Sequence, residues 1–417
     1  MQKLLLILCF LALSLADQYA VIAVGSNGYY NYRHQADACH AYQVLINHNI
    51  PKSNIIMMSY DDVPNALQNP FPGKLFNAPG NHSVDVNDGC IKDYIGADVT
   101  AKHFLNIIQG DELAMIGVGT GRVLKSGPND HVFIYFVDHG ASGVLSFPNT
   151  WLYNYQLIDA FTQMKAKGMY SQLTIYIEAC YSGSMFDGVL KGNLNVYAVT
   201  AANATESSWG AYCPYEDFID GIELDACLGD LFSVNWLENS DSANLTIETL
   251  DQQFDIAQSL TNLSHVSRYG NFSFVNETAG EFLGNLTDSL NFAGYEKSSN
   301  WESTEIKLNY LLHMYTKYQD PQYMEAILEE MEYRDKISGI FTQLALHFEM
   351  KYDADLMNAE LRPLNTRCLE KNIMSFEQHC GNIKDYGLKY IQVLVNICEV
   401  GISNEETDSA LKEICIL

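Results

Sequence analysis

The chain has 417 residues, of which 51 are acidic and 24 basic, for a formal net charge of −27. This length is enough for two or three domains, and 47% hydrophobic with 18% charged residues is ordinary globular composition, not that of a disordered polyanion. The acidic balance argues against nucleic-acid binding and against a polybasic membrane anchor, because both require clustered Lys and Arg.

The first residues have the pattern of a secretory signal peptide. Lys3 precedes an apolar run over residues 4–15, and the small residues Ser14 and Ala16 predict cleavage after Ala16. The run is too short for a membrane span, and no later segment approaches ~20 uninterrupted apolar residues. Seven N-x-S/T motifs predict glycosylation in the secretory pathway, at Asn81, Asn203, Asn244, Asn262, Asn271, Asn276 and Asn285.

From residue 19 to about residue 203, short apolar runs alternate with helical stretches. The runs predict strands buried on both faces, at 19–24, 54–59, 131–137, 173–177 and 194–199. The helical stretches are 36–47, 98–109 and 155–167. This alternation predicts an α/β fold with a mainly parallel sheet flanked by helices on both sides.

The rest of the chain differs in residue composition and in the spacing of its hydrophobic residues. Gly, Asn and Pro punctuate residues 65–89, which we interpret as a long loop, and the acidic stretch 206–281 contains a helical segment at 247–260. From about Ser303, Leu, Met, Tyr and Glu recur at helical spacing, with Pro321 and Pro363 as breaks. This pattern predicts a second, all-helical domain of about 115 residues.

Nine cysteines remain once Cys9 leaves with the signal peptide. An odd number leaves at least one thiol unpaired if all bridges are intrachain. No CxxC pair occurs, which argues against a zinc or thioredoxin-type site, and neither a metal nor a cofactor is expected.

Two predicted strands end in residues capable of chemistry. Residues 131–137 lead into Asp138-His139-Gly140, and residues 173–177 lead into Glu178-Ala179-Cys180. Because open parallel sheets place reactive groups beyond the carboxyl ends of their strands, His139 and Cys180 are candidates for a thiol–imidazole pair. The backbone N–H groups of Gly140 and Cys180 are candidates for an oxyanion hole. The alternative is a small buried Cys and a structural His.

The first strand leads into a third polar stretch over residues 25–40. It lacks both the GK[ST] and the GxGxxG patterns, but its polar density before a helix favours ligand recognition at the same sheet edge. Helix capping by Asn31 and a solvated charge on Arg33 are the alternatives. We interpret Cys39 and His40 as packing residues.

Long strings resemble the legumain family of asparaginyl endopeptidases, also called vacuolar processing enzymes. They are GSNGYYNYRHQADACHAY (25–42), KSGPNDHVFIYFVDHG (125–140), YIEACYSGS (176–184), TAANATESS (200–208), CLGDLFSVNWLENSD (227–241) and SHVSRYGN (264–271). The resemblance covers most of residues 17–271 and recurs weakly near the C-terminus.

The resemblance implies a caspase-like cysteine protease that cleaves after Asn, and after Asp at lower pH, and is made as an autoactivating zymogen. It implies a protease domain at 17–284, an activation linker at 285–310 and a helical prodomain at 311–417. Cys180 would be the nucleophile, His139 the base and Asn31 the residue that orients the imidazole, beside Gly140. The implied asparagine pocket consists of Arg33, His34, Glu178, Ser207, Ser208 and Asp230, and Asp138 occupies a position at which the family can form a succinimide.

The implied pocket suits a carboxamide, which needs a donor such as Arg33 on one side and an acceptor such as Glu178 or Asp230 on the other. The resemblance also implies three disulfides, whereas spacing alone allows three pairings of the last four cysteines. Cys39, Cys90 and Cys180 are then expected to be free. The implied bridges are Cys213–Cys227, Cys368–Cys398 and Cys380–Cys415.

One departure concerns the residue after the nucleophile, where the family usually has Glu and this chain has Tyr181. Loss of that charge is expected to ease thiolate formation.

Asn300 and Asn309 are candidate activation sites. Residues 295–417 carry 12 basic and 21 acidic groups, against 12 and 30 in residues 1–294, so prodomain docking must rely on local basic patches or apolar contact.

The resemblance further implies peptide substrates with Asn at the cleavage site, the chain's own prodomain as inhibitor, cystatin-type inhibitors, and a lysosomal, vacuolar or extracellular location. Three alternatives remain. A peptide ligase would resolve the same acyl-enzyme with an amine. The transamidase that attaches lipid anchors normally has a C-terminal span, whereas residues 399–417 are charged here. A non-catalytic binding protein would be indicated by loss of Cys180 or His139, and both are present.

Overall fold

The computed structural model describes residues 16–285 and 297–416. Residues 1–15 of the predicted signal peptide and residues 286–296 of the predicted activation linker lie outside the described residues. The strands are β1 (Gln18–Val24), β2 (Ile55–Met58), β3 (His131–Val137), β4 (Gly140–Ala141), β5 (Val144–Phe147), β6 (Thr150–Tyr153), β7 (Gln172–Glu178), β8 (Val196–Thr200), β9 (Trp209–Ala211), β10 (Phe218–Ile219), β11 (Ile222–Glu223), β12 (Gly229–Asp230), β13 (Ser267–Gly270) and β14 (Trp301–Glu302).

The α-helices connect and follow these strands. They are α1 (Tyr32–Asn47), α2 (Ala101–Ile108), α3 (Asn154–Ala166), α4 (Leu231–Ser242), α5 (Leu250–Leu260), α6 (Gly280–Leu283), α7 (Ile306–Tyr318), α8 (Pro321–Tyr352), α9 (Thr366–Cys380), α10 (Ile391–Glu399) and α11 (Asn404–Ile416).

The central sheet has the order β13-β8-β7-β3-β1-β2, with parallel pairing throughout except at the edge strand β13. The predicted α/β class with a mainly parallel sheet is therefore confirmed, and the five predicted strands lie within two residues of β1, β2, β3, β7 and β8. Alternation along each strand produces two apolar layers. Ala20, Ile22 and Val24 pack toward α1 and α4, whereas Val21 and Ala23 pack toward α2 and α3.

Helix α1 begins at Tyr32, earlier than the predicted residue 36, and nearly all of its first residues are buried. Helix α4 was not predicted as a helix, because it is buried on almost every side and therefore carries no amphipathic stripe to detect. Residues 65–89 form neither helix nor strand beyond an isolated bridge at Gly80, as predicted for a loop.

The C-terminal region is all helical, as predicted. Pro321 is the first residue of α8, and Pro363 lies between α8 and α9. Its core includes the stacked rings of Phe341 and Phe376, 4.7 Å apart, and extends to Ala141, Val144 and Tyr153 of the sheet domain. Apolar contact therefore joins two like-charged regions. The predicted boundary at residues 310/311 falls inside α7.

The structure contains the three predicted disulfides, Cys213–Cys227, Cys368–Cys398 and Cys380–Cys415. The prediction that Cys39 and Cys90 are free is wrong, because they are bonded to each other. A separation of 51 residues gave no sequence signal, and only the packing of α1 against the long loop brings the two sulfurs together. Among the described residues Cys180 is the free cysteine.

None of the described helices combines the length and the apolar character that crossing a membrane would require. The seven predicted glycosylation asparagines are all exposed or half-buried. Their modification stays a prediction.

Candidate active site

Parallel pairing of β3 and β7 brings His139 and Cys180 to one edge of the sheet. Val137 pairs with Glu178, so the residues that follow each strand emerge side by side. Gly140 is required here, because a Cβ at that position would lie 2.5 Å from the carbonyl oxygen of Cys180 and 3.1 Å from Cβ of Ala179. The backbones after the two strands are therefore in direct contact.

The Cys180 thiol is almost completely buried, at 2% exposure. The backbone N–H of Ser208 donates to its sulfur at 3.3 Å, and the Ser208 hydroxyl lies 3.6 Å from it. Burial raises the pKa of the thiol, against hydrogen bonds from Ser208 and Ser207 that lower it. A thiol in this environment needs a neighbouring base to become a nucleophile.

His139 is held in the tautomer that such a base requires. Its Nε2–H donates to Oδ1 of Asn31 at 3.0 Å, which leaves Nδ1 to accept a proton. The Asn31 amide is itself oriented, because its Nδ2 donates to the carbonyl of Asn27. Burial lowers the pKa of His139 to about 4, although the Asp385 charge opposes the shift. The imidazole is therefore neutral above that pH.

Arg33, on the first turn of α1, extends a buried guanidinium into the site. Its Nε donates to Oδ1 of Asp230 at 2.8 Å, and its Nη1 lies 3.3 Å from Oδ1 of Asn31 and from the carbonyl of Tyr30. Nη2 is buried and has no hydrogen-bond partner. An unpaired buried donor is costly, so this atom is suited to a ligand acceptor.

Glu178 supplies the complementary acceptor. Its Oε2 accepts from the N–H and the hydroxyl of Ser233, both at 2.9 Å, whereas Oε1 is buried without a partner. Burial and the Asp230 charge raise the pKa of Glu178 well above its usual value. In its ionised form, Glu178 therefore gives the site one open acceptor in addition to the open donor of Arg33.

Sequence reasoning missed a third buried carboxylate, Asp37. It lies on α1 four residues after Arg33, accepts from the Asp230 N–H at 3.0 Å and from Asn77 at 2.7 Å, and has no exposed surface. Burial, followed by the Asp230 charge, raises its pKa well above the usual value. The i, i+4 spacing from Arg33 was the available signal.

His34 and Asp138 are buried side by side behind the imidazole. His34 Nδ1 shares a 2.6 Å hydrogen bond with Ser26, and its Nε2 lies 3.4 Å from Asp230. Burial lowers the pKa of His34 and raises that of Asp138, whose two oxygens have no hydrogen-bond partner. A Cβ on Gly25 would collide with the Asp138 carboxylate, so the fold leaves no space beside it.

The helical region covers this site. Oδ2 of Asp385, just before α10, lies 3.8 Å from Nε2 of His139 and accepts from the Tyr30 hydroxyl at 2.9 Å. A cavity of about 340 Å³ remains between the two regions beside His139, and Lys307 also lines it. No sequence pattern had indicated Asp385.

A short strand within the predicted linker, β14, lies beside Cys180. β14 pairs in antiparallel fashion with β9, and the N–H of Ser303 donates to the carbonyl of Ser208 at 3.0 Å. The hydroxyls of Ser303 and Ser208 are 3.2 Å apart. Two residues are too few to show a strand period, so the sequence could not predict this pairing.

Comparisons with known proteins identify the family of the chain. A model of the Peptidase C13 family matches residues 18–285, and a model described as legumain, prodomain matches residues 325–415. The chain thus belongs to the peptidase C13 family, and it is a cysteine endopeptidase with a legumain-type prodomain. The predicted resemblance is confirmed.

Its relatives span most of its length. The chain is 38% identical to a vacuolar-processing enzyme of Citrus sinensis, over 96% of this chain and 85% of the relative. It is also 38% identical to legumain of Bos taurus, over 95% and 92%. Among solved structures, caspase-1 from Spodoptera frugiperda matches 66% of this chain and 92% of its own, with a TM-score of 0.38 and 10% identity.

Proposed function

We propose that the protein cleaves peptide bonds after Asn, and after Asp at lower pH, with Cys180 as the nucleophile. The observation that carries this specificity is the pair of open atoms in the buried site, Nη2 of Arg33 and Oε1 of Glu178. A carboxamide offers one acceptor oxygen and an NH2 donor, so it satisfies both atoms at once. An Asp side chain fits the same pair only when protonated, which explains acceptance at lower pH.

Catalysis would proceed through an acyl-enzyme. Nδ1 of His139 takes the Cys180 proton, and the thiolate attacks the carbonyl carbon after the Asn residue. The N–H groups of Gly140 and Cys180 stabilise the resulting oxyanion. The imidazolium then protonates the leaving amine, and water activated by neutral His139 hydrolyses the thioester.

We further propose that the same thiol releases the prodomain in an acidic compartment of the secretory pathway. The helical region covers His139 in the full chain, so activity requires its displacement. Of the two candidate cuts, Asn300 lies outside any helix or strand, whereas Asn309 is inside α7 and needs local unwinding before cleavage.

The test uses the full chain and Cys180→Ala, each incubated alone at pH 5 and followed by mass spectrometry. We expect the wild type to shorten after Asn residues and then to cleave Ala-Ala-Asn amides, but not the matched Ala-Ala-Gln amides. The variant should do neither. Processing by Cys180→Ala alone would contradict autoactivation, and equal cleavage of the Gln substrate would contradict the specificity.

A further inference from the structure

We propose that the Cys213–Cys227 disulfide and Gly210 form a second specificity site, which binds a large aromatic or apolar side chain two residues before the cleaved Asn. The inference rests on the proposed function and extends it from one substrate residue to two. It is carried by the linker strand β14, which lies where a substrate would lie.

The direction of β14 is that of a substrate. Ser208 donates its N–H to the Cys180 sulfur and accepts the N–H of Ser303 through its carbonyl. The strand therefore approaches the nucleophile with its carboxyl end, as the acyl part of a scissile peptide must. The residue opposite Ser208 occupies the place of the cleaved Asn, and in the linker this residue is Ser303.

The pocket for the Asn side chain stays open in this arrangement. The Ser303 side chain ends at the Ser208 hydroxyl, while Nη2 of Arg33 and Oε1 of Glu178 have no partner. The linker thus follows the backbone path of a substrate, but it has Ser303 where a substrate would have the Asn side chain. Its other side chains then mark the places of the preceding substrate residues.

The residue two positions before Ser303 is Trp301, which pairs directly with Gly210. Its ring packs against a cluster formed by Cys213, Cys227 and Ile306. Both cysteines are buried, and the N–H of Cys213 donates to the carbonyl of Ser299, two residues before β14, so the disulfide is also bonded to the segment that leads into this strand.

Gly210 makes room for this contact. A Cβ at position 210 would lie 2.8 Å from Cδ1 of Ile306 and 3.2 Å from Sγ of Cys227. Ile306 begins α7, and after a cut at Asn300 it leaves with the helical region. The disulfide and the Gly210 backbone then form an apolar floor. Sulfur–aromatic contact and the lost water-accessible area both favour an aromatic side chain there.

The experiment compares three fluorogenic peptide amides on the acid-activated enzyme: Trp-Ala-Asn, Gly-Ala-Asn and Gly-Trp-Asn. We expect kcat/KM for Trp-Ala-Asn to exceed that for Gly-Ala-Asn by at least about fivefold, mainly through KM, as partial burial of an indole ring predicts. Gly-Trp-Asn should resemble Gly-Ala-Asn, because its ring is one position away from the disulfide.

A Gly210→Ala variant locates the effect. It should lower the Trp preference toward unity while Gly-Ala-Asn, which does not use the space, is still cleaved. Equal kcat/KM for the Trp-Ala-Asn and Gly-Ala-Asn peptides on the wild type would overturn the inference, and so would an unchanged preference in Gly210→Ala. A wild-type enzyme that cleaves no Asn peptide at all would instead contradict the proposed function and the inference with it.

Discussion

Arg33 is bonded on one side of its guanidinium and open on the other. Asp230 and the Asn31 amide hold Nε and Nη1, so the arginine does not have to reorganise to receive a ligand at Nη2. Preorganised donors of this kind give specificity, because a ligand without the matching acceptor leaves them unpaired.

Arg33→Ala is expected to lower kcat/KM for Asn peptides by at least tenfold, since loss of a charged hydrogen bond in a buried site costs about 1.5–3 kcal/mol. Iodoacetamide should still alkylate Cys180 in the variant after added wild-type enzyme has released its prodomain. Arg268→Ala is the matched control, because Arg268 lies in the edge strand β13 and forms its ion pair with Asp251 of α5. Unchanged cleavage after Asn would show that Arg33 does not contact the substrate.

Asp217, in the loop closed by Cys213–Cys227, is a buried carboxyl with one unpaired oxygen. Its Oδ2 accepts from the Ala226 N–H, but Oδ1 has no partner. Burial, with the Glu223 charge, raises its pKa to about 6. A carboxyl group with a raised pKa in the folded state contributes fully to the free energy of unfolding below its unfolded pKa of ~4. This contribution is lost as the pH rises through 6.

Asp217→Asn should therefore stabilise the protein at pH 7.5 by about 1–3 kcal/mol and leave it unchanged or weaker at pH 4. Urea unfolding at both pH values, in a Cys180→Ala background that prevents self-cleavage, measures the effect. The exposed Asp220→Asn in the same loop is the control. An equal effect of the two substitutions at pH 7.5 would exclude burial as the cause.

At the scale of elements, α1 carries much of the site on its first turns. Asn31 precedes it, Arg33, His34 and Asp37 lie within it, and Cys39 follows two residues later. The Cys39–Cys90 bond ties this helix to the loop after β2. The element that positions the pocket is thus cross-linked as well as packed.

The double variant Cys39→Ala/Cys90→Ala is expected to lose about 3–4 kcal/mol of stability, because a long loop of the unfolded chain is no longer closed. The midpoint of urea unfolding, again without the Cys180 thiol, reports the loss. Cys39→Ala alone should give the same result with a reactive thiol at Cys90. A midpoint equal to that of the parent would show that packing alone holds α1.

The linker strand allows a gain-of-function variant. Ser303→Asn places a carboxamide beside Arg33 and Glu178 without changing the backbone pairing of β14. We expect a new cut after residue 303 at pH 5, visible by mass spectrometry, and no such cut in Ser303→Gln, whose side chain is one methylene longer. If Ser303→Asn is not cut after position 303, the strand is not seated as a substrate.

At the scale of the whole molecule, two acidic regions associate through apolar contact and a few specific pairs. Arg362 bonds Asp187 at 2.9 Å, and Asp385 reaches His139. Burial alone would raise the pKa of Asp385, but the charge of protonated His139, the Tyr30 hydrogen bond and Lys307 outweigh it and lower that pKa. At pH 6, where His139 is neutral, the Tyr30 hydrogen bond and the Lys307 charge remain. A carboxylate whose pKa is lowered by docking stabilises the docked helical region above pH ~4. This stabilisation is lost only as the pH falls below that value.

Asp385→Ala should accordingly loosen the cover at pH 6, and Cys180 of the full chain should react with iodoacetamide several-fold faster than in the wild type. Asp408→Ala is the control, since that half-exposed carboxylate bonds Ser375 and His379 within the helical region. Identical alkylation rates in Asp385→Ala and wild type would show that Asp385 does not contribute to shielding the thiol.

The sequence by itself determined the sheet and the sheet edge that carries the candidate active site. Strands that are buried on both faces appear in the sequence as continuous apolar runs, so these runs predict β1, β3 and β7. Their alternation with helices predicts parallel pairing. Because the carboxyl ends of parallel strands share one edge of the sheet, the sequence alone places His139 and Cys180 together. The family resemblance added roles for Glu178, Asn31 and Arg33. By residue type alone, Asn31 also suits helix capping and Arg33 a solvated charge.

Only the tertiary structure decided the contacts that join distant segments. The Cys39–Cys90 bond, the third carboxylate Asp37 behind Asp230, the Asp385 contact with His139 and the β14–β9 pairing each depend on two parts of the chain meeting in space. The sequence did not predict helix α4 for a related reason. The helix is buried on nearly all sides, so its hydrophobic residues show no helical periodicity. Local patterns record which face of an element is buried, whereas the partner that covers the face is set by the packing of the whole chain.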